Sequence, residues 1–225
     1  MGLIHAGMAQ HGTVVFAHEQ TRGKGQREKQ WTSAPGENIM LSVIMKPFSL
    51  AVSQQFLLSM AVANGVHSFF SKYAGAQTKI KWPNDLYWCD RKAGGILIEN
   101  QIQGQVWKYA VVGIGININQ TNFQLIADQA VSLKQVTGKQ WDIIEGAKEL
   151  IKALDEELKL LLDAPGEVSK RYHRALYKWK EEQAFKKNNK VFKARVDGVT
   201  NEGYLIISHA HQEFFKIGEV QWVFT

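Results

Sequence analysis

Several runs of glycines and charged residues in this chain are of types suited to chemistry on anions. Lys81-Trp82-Pro83-Asn84-Asp85 sets an ammonium and a carboxylate on either side of a Trp-Pro pair, in a rigid and unusual turn. The Asp85 carboxylate either binds magnesium, directly or through water, or closes that turn; the residues leave both open. Upstream, Gly23-Lys24-Gly25-Gln26-Arg27 combines glycines, which let backbone amides approach an anion closely, with the charges of Lys24 and Arg27. Taken alone, the same loop also reads as a basic solvated turn, and it lacks the spacing of a Walker phosphate loop. Gly94-Gly95 opens the apolar run Ile96-Leu97-Ile98, and glycine inside a strand marks a bulge or a close approach of ligand to backbone. Gly113-Ile114-Gly115-Ile116-Asn117 lacks the third glycine and the following helix of a dinucleotide fingerprint. Trp31, at the end of the basic loop, reads by itself as a loop anchor.

Other chemistries are poorly served. The seven histidines form no ligand set: His209 and His211 stand two apart with no third donor at metal spacing, and they read as surface residues. There is no Gly-x-Ser-x-Gly nucleophile elbow. Cys89 is the only cysteine, which rules out an intrachain disulfide and a multi-thiolate zinc site and suits a reducing cytoplasm. Apolar runs stay well short of the roughly 18 residues of a membrane span, so neither export nor membrane insertion is expected. A formal charge of +6 favours anionic partners without choosing among them.

The elements that must position these residues follow from periodicity. Thr13 to Ala17 and Asn38 to Met45 read as strands, with a mobile surface loop over Thr21 to Gly36 between them. Phe56, Met60, Ala63, Val66 and Phe70 recur at helical spacing within Ser53 to Tyr73, with Ser53 placed to cap the first turn. Lys79 to Trp82, Ala93 to Asn100 and Val106 to Ile118 suggest an antiparallel meander. Asp142 and Glu145 have capping-box spacing ahead of a leucine stripe that Ala164-Pro165-Gly166 stops, and Glu167 to Lys180 reads as a further helix. Lys190 to Val196, Tyr204 to Ser208, Glu213 to Ile217 and Val220 to Phe224 predict a small all-β domain. The expected class is α+β, a mainly antiparallel sheet with packed helices over 1–180 and a β domain over 181–225.

The order of motifs resembles biotin protein ligases: the basic glycine loop, Trp31, Lys-Trp-Pro-Asn-Asp, Arg-Lys-Ala-Gly-Gly and Gly-x-Gly-x-Asn, from about residue 12 onward. That resemblance implies a catalytic domain related to class II aminoacyl-tRNA synthetases, followed by an SH3-like barrel. It implies that Lys81 contacts both the biotin carboxylate and the α-phosphate of ATP, as the catalytic residue. Gln20, Gly23, Lys24, Gly94 and Gly95 would join it around biotin, and Lys24, Gln26, Arg27, Trp31 and Asn117 around the adenylate, with Mg2+ as cofactor. The family's loop is Gly-Arg-Gly-Arg-x-Gly, and here Lys24, Gln26 and Glu28 replace its two arginines and last glycine. Lysine loses the bidentate fork, glutamine loses charge and Glu28 adds repulsion, so adenylate retention is expected to differ. The family's Ser-Thr-Asn segment, which binds the biotin ureido ring, has no counterpart ahead of Thr13, and the natural protein is expected to extend upstream.

The implied activity is ATP-dependent biotinylation of a lysine on a biotin carboxyl carrier protein, such as that of acetyl-CoA carboxylase, in the cytoplasm. Fewer than twenty residues precede the first predicted strand, too few for a helix-turn-helix, so no DNA partner is expected. The oligomeric state is open, with a homodimer among the options. One rival is a lipoate ligase or octanoyltransferase of the same fold. Another is a non-catalytic nucleic-acid module built on Lys170, Arg171, Arg174, Lys178, Lys186, Lys187 and Lys190.

Overall fold

The computed structural model describes residues 2–26, 30–47, 50–123, 126 and 128–224. In chain order the elements begin with a short helix α1 (Gly2–His5), β1 (Thr13–Phe16), β2 (Gly23–Lys24), β3 (Gln30–Trp31) and β4 (Asn38–Met45). They continue with α2 (Gln55–Ala74), β5 (Thr78–Lys81), β6 (Asp85–Trp88), β7 (Arg91–Gln103) and β8 (Val106–Asn117). Three helices follow, α3 (Leu133–Thr137), α4 (Ile143–Asp163) and α5 (Pro165–Ala175). Then come β9 (Glu182–Lys187), β10 (Lys190–Val199), β11 (Leu205–Ser208), β12 (Gln212–Phe215) and β13 (Gln221–Val223).

A six-stranded antiparallel sheet, in the order β1-β4-β8-β7-β6-β5, forms the centre. Successive residues of a strand point to opposite faces. Ile39, Leu41 and Val43 of β4 therefore join Val112, Ile114 and Ile116 of β8, with Ile80, Leu86 and Ile96, in one core under α2. The helix is buried nearly all round because α4 and α5 cover its far side. Gly65 permits that crossing: a Cβ there would lie 3.0 Å from the Leu154 Cα. The Asp142 carboxylate caps α4 as expected, accepting from Ile144 N–H at 2.9 Å and Glu145 N–H at 3.0 Å.

The second antiparallel sheet, β12-β11-β10-β9-β13, is the small SH3-like unit at the C-terminal end. Its interior, Phe185, Val196, Leu205, Ile207 and Phe215, runs on into the main core. Three contacts seat it there. Trp82 Nε1 donates to the Gly203 carbonyl at 3.0 Å. Gly203, at φ +92°, lies against the Phe56 ring where a Cβ would overlap it. His173 of α5 accepts from Val199 N–H through Nε2 at 3.0 Å, tying that helix to β10.

Several expectations change. Ser53 lies inside a 3-10 turn, Val52–Gln54, ahead of α2, and the Gln54 side chain, not Ser53, accepts the Ala51 N–H. The segment from Asp85 is a strand of its own, β6, and the polar Glu182–Lys187 is an interior strand, β9, between β10 and β13. The loop over 21–36 contains the β2–β3 hairpin. Pro165 begins α5 as well as ending α4, the proline's missing N–H being harmless at the first helical position. The helix expected over 167–180 ends at Ala175, because Leu176 bridges to Ile80 and Tyr177 N–H bonds the Ile80 carbonyl at 2.8 Å. Among the described residues, no helix is long and apolar enough to cross a membrane.

Candidate active site

The face of the main sheet turned away from the helices carries the chemistry. Strand register aligns Lys81, Asp85, Gly95, Gly115 and Met40 in one row across five strands. The adjacent row, Ile80, Leu86, Gly94, Ile116 and Ile39, points at the helices. Gly113 joins Gly95 and Gly115 on the first face, which leaves the middle of the sheet as bare backbone flanked by charge. A ligand can lie flat on such a floor and meet an ammonium at its end.

The two glycines of Gly94-Gly95 part company. Gly95 opens on the floor, whereas a Cβ at Gly94 would come 2.8 Å from the Gly115 carbonyl, so Gly94 serves close strand contact rather than a pocket. Just before them, β6 and β7 shift register: Leu86 pairs with Gly94 and Tyr87 with Lys92, leaving Ala93 extra. Such a bulge re-aims side chains. Lys92 consequently reaches the floor, with Nζ 2.6 Å from Asp85 Oδ1. The Asp85 carboxylate thus grips an ammonium rather than closing the turn. Among the described residues there is no cluster of three His, Cys, Asp or Glu side chains able to hold a metal.

Lys81 Nζ is surrounded by rings, 5.0 Å from the Tyr87 centroid, 5.2 Å from Phe224 and 5.5 Å from Trp222. Burial, then the nearby charges of Asp85 and Asp90, push the Tyr87 phenol well above its ordinary pKa, so it stays neutral. The rest of the motif holds the turn: Asn84 Nδ2 donates to the Ile96 carbonyl at 2.5 Å, and Trp82 anchors to Gly203.

Trp31 rests its indole on Gly115, where an added Cβ would meet ring carbons at 2.7 Å. Its Nε1 is buried without a hydrogen-bond partner among the described residues. Gly23 pairs with Trp31 so closely that a Cβ would collide with the Trp31 carbonyl, and Gln20 Oε1 lies 2.9 Å from the same point. Gln20, Gly23 and Trp31 are therefore brought together beside the floor. Lys24 is exposed on the hairpin and Gln26 is half-buried. Arg27 and Glu28 lie outside the described residues.

Asn117, expected near adenine, sits on the correct face, but its amide donates to the Lys92 carbonyl at 3.3 Å and the Val131 carbonyl at 3.1 Å. It pins the 129–131 segment to Lys92, whose N–H bonds Gln129 O at 2.7 Å. This amide shapes the wall of the site. Sequence reasoning missed Lys92 as a site residue although it stands in the quoted Arg-Lys-Ala-Gly-Gly run; the bulge is what turns it inward. Trp222 and Phe224 carried no signal beyond a strand pattern.

A cavity of about 510 Å3 lined by Asn64, His67, Lys79, Arg171 and Arg174 lies on the helix side, and no residue of this row lines it. Its polar groups are largely structural, since Arg171 pairs with buried Glu157 at 2.6 Å and Asn64 bonds the Val168 carbonyl at 3.0 Å. The basic residues expected of a nucleic-acid face are partly tied up too: Lys170 pairs with Glu167, and Lys178 with Glu181. His209 and His211 flank Glu213 on the β11–β12 hairpin, at 2.7 and 4.0 Å.

A family model for the biotin/lipoate A/B protein ligases matches residues 4–117, which include every strand of this floor. The chain belongs to that family. Among curated relatives, the bifunctional ligase/repressor BirA of Bacillus spizizenii is 38% identical over 138 residues, 60% of this chain and 42% of the relative. The human biotin–protein ligase is 32% identical over 127 residues, 54% of this chain and 17% of the relative. The matched stretch thus spans less than half of these family members' length. A biotin protein ligase from Aquifex aeolicus, solved with biotin and ATP, superposes with a TM-score of 0.80 at 23% identity, covering 96% of this chain and 91% of that one. This likeness establishes the family fold across both sheets.

Proposed function

We propose that the chain is an ATP-dependent biotin–protein ligase, with residues 1–180 as its catalytic domain and 181–225 as its SH3-like domain. The observation that carries this reading is the registered row of Lys81, Asp85, Gly95 and Gly115, with Lys92 folded in beside it. Relatives named as biotin ligases support it, as does a Leishmania major biotin protein ligase of similar fold solved with biotinyl-5-AMP, at a TM-score of 0.60.

In this reading the apolar body of biotin lies on the glycine floor beside the Trp31 indole, and its carboxylate approaches the α-phosphate of ATP next to Lys81. Two anions repel at that point, and the transition state concentrates further charge on the α-phosphoryl oxygens. The Lys81 ammonium offsets both, acting as an electrophilic clamp. A carboxylate oxygen bonds to the α-phosphorus, the bond to the β-phosphate oxygen breaks, and pyrophosphate leaves with the electron pair. Mg2+, arriving with the triphosphate, would neutralise charge on its phosphates, and Asp85 is the side chain of this site able to contribute an oxygen to it. Lys92, paired with Asp85 at 2.6 Å, supplies a second cation near the developing phosphate charge. Gln20 and Gly23 hold the Trp31 hairpin over the floor, and Lys24, Gln26 and Arg27 bring the loop's polar groups to the adenylate. The unprotonated amine of an acceptor lysine on a carrier domain then attacks the acyl carbon, AMP departs and an amide forms. A biotin–[acetyl-CoA-carboxylase] ligase among the relatives, from Paracoccus denitrificans, makes a carboxylase carrier the first acceptor to try.

Pyrophosphate release with ATP, magnesium and biotin, lipoate or octanoate tests the reading. Biotin-dependent release is expected. Release dependent on lipoate or octanoate would move the protein to the other branch of its family, and tight salt-sensitive oligonucleotide binding without any release would replace the enzyme by a nucleic-acid module.

A further inference from the structure

The residues that hold Lys81 come from both sheets, and two of them belong to the last strand of the chain and its end. We propose that Trp222 and Phe224 are positioning residues for Lys81, so that the C-terminal sheet completes the adenylation site. This rests on the ligase reading above. An ammonium within about 6 Å of a ring centroid is attracted by the ring quadrupole. Lys81 satisfies this toward three rings at once, at 5.0, 5.2 and 5.5 Å.

The rings are themselves fixed. Tyr87 stacks on Phe224 with centroids 6.1 Å apart and planes 12° apart. Tyr177 backs both Tyr87 and Trp222, at 5.4 and 5.6 Å, and its hydroxyl donates to Asp90 Oδ1 at 2.5 Å. Trp222 sits opposite Phe185 in the β13–β9 pairing, with ring centroids 4.9 Å apart, so its place is set by the second sheet's own register. Its Nε1 is buried with no hydrogen-bond partner among the described residues. What the indole gains in this position comes from its ring.

The two lysines of the site are restrained in different ways. Lys92 is held by a carboxylate at 2.6 Å, which compensates its charge. The rings around Lys81 are neutral and narrow its rotamers by packing. A long side chain ordered before substrate arrives has less entropy left to lose at the reaction step.

The test uses the full chain with Trp222→Leu and Phe224→Leu, and Trp222→Phe and Phe224→Tyr as ring-retaining controls. One readout needs no activity: the carbon-13 resonance of reductively dimethylated Lys81, assigned with Lys81→Arg. Ring currents should shift it upfield in the parent protein, the leucine variants should return it toward the exposed-lysine position, and the ring-retaining variants should keep it shifted. The second readout separates the half-reactions. Each leucine variant should slow formation of biotinyl-5′-AMP about 3- to 30-fold, the rate equivalent of one desolvated cation–π contact. Transfer from supplied biotinyl-5′-AMP to a carrier should change less than about twofold, with the phenylalanine and tyrosine variants restoring the first step. An unshifted Lys81 resonance in the parent, or equal loss in both half-reactions, would overturn the proposal. A shifted resonance in a parent that forms no biotinyl adenylate would instead reject the ligase reading and leave the ring box standing.

Discussion

The two faces of the six-stranded sheet are built from the same strands and differ in almost everything else. On one, Ile39, Ile116, Leu86 and Ile80 form an apolar row under α2, broken only where Gly94 lets β7 and β8 approach closely. On the other, one residue away on each strand, the row reads Met40, Gly115, Gly95, Asp85 and Lys81. Side chains on the first face hold the fold, and their absence on the second opens the site. Function here depends on what β7 and β8 leave out as much as on the charges beside them.

That contrast breaks most visibly at Lys81. Lys81→Ala should lower adenylate formation about 100- to 1000-fold, as loss of a group aimed at transition-state charge does. Its thermal midpoint should stay within a few degrees of the parent's, since the side chain supports no packing on the helix face. Unchanged turnover would remove Lys81 from the mechanism.

Neighbours on β8 sharpen the contrast. Ile116 is fully buried on the helix face, and Ile116→Ala should cost about 3 kcal/mol in urea unfolding with little change in the KM for biotin. Gly115→Ala, one residue away, puts a Cβ 2.7 Å from Trp31 ring carbons and displaces the indole from the floor. It should raise the KM for biotin about tenfold and cost under about 1 kcal/mol of stability. Similar effects from both variants would show that the two faces do not divide the labour.

The smallest effect belongs to His67, at the rim of the helix-side cavity, with Nε2 3.1 Å from the Thr78 carbonyl. Burial pushes its pKa below the ordinary 6.5; Lys79 adds to this and the Thr78 bond opposes it. As pH falls through 6.5 the unfolded chain takes up the proton first, so stability drops below that point and is fully present above it. Urea unfolding near pH 7.5 and near pH 5.5 should differ by under about 1 kcal/mol from this group, and His67→Gln should flatten that difference without touching adenylation.

Long apolar elements were legible in the chain. Strands β4 and β8 and helices α2 and α4 lie within a few residues of their expected bounds, because a buried face leaves a regular trace of apolar residues. β9 was not legible: Glu182-Gln183-Ala184-Phe185-Lys186-Lys187 buries mainly Phe185, and its strand state comes from pairing with β10 and β13. β6 hid behind the turn-prone pair Asn84-Asp85, the second of which begins it. In the site, Lys81 and the glycines stood out by type and spacing, whereas Lys92 needed the bulge to aim it and Gly94 needed the strand crossing to reveal a packing role.

By itself, then, the sequence determined which residues bury and which bare strands and charges lie close along the chain, since period and residue type are local properties. Only the tertiary structure decided that Asp85 faces Lys92, that Asn117 pins the 129–131 segment, and that Trp222 and Phe224 close around Lys81. Those partners lie up to some 140 residues apart, and strand register and sheet-to-sheet packing, which no local pattern encodes, bring them within reach.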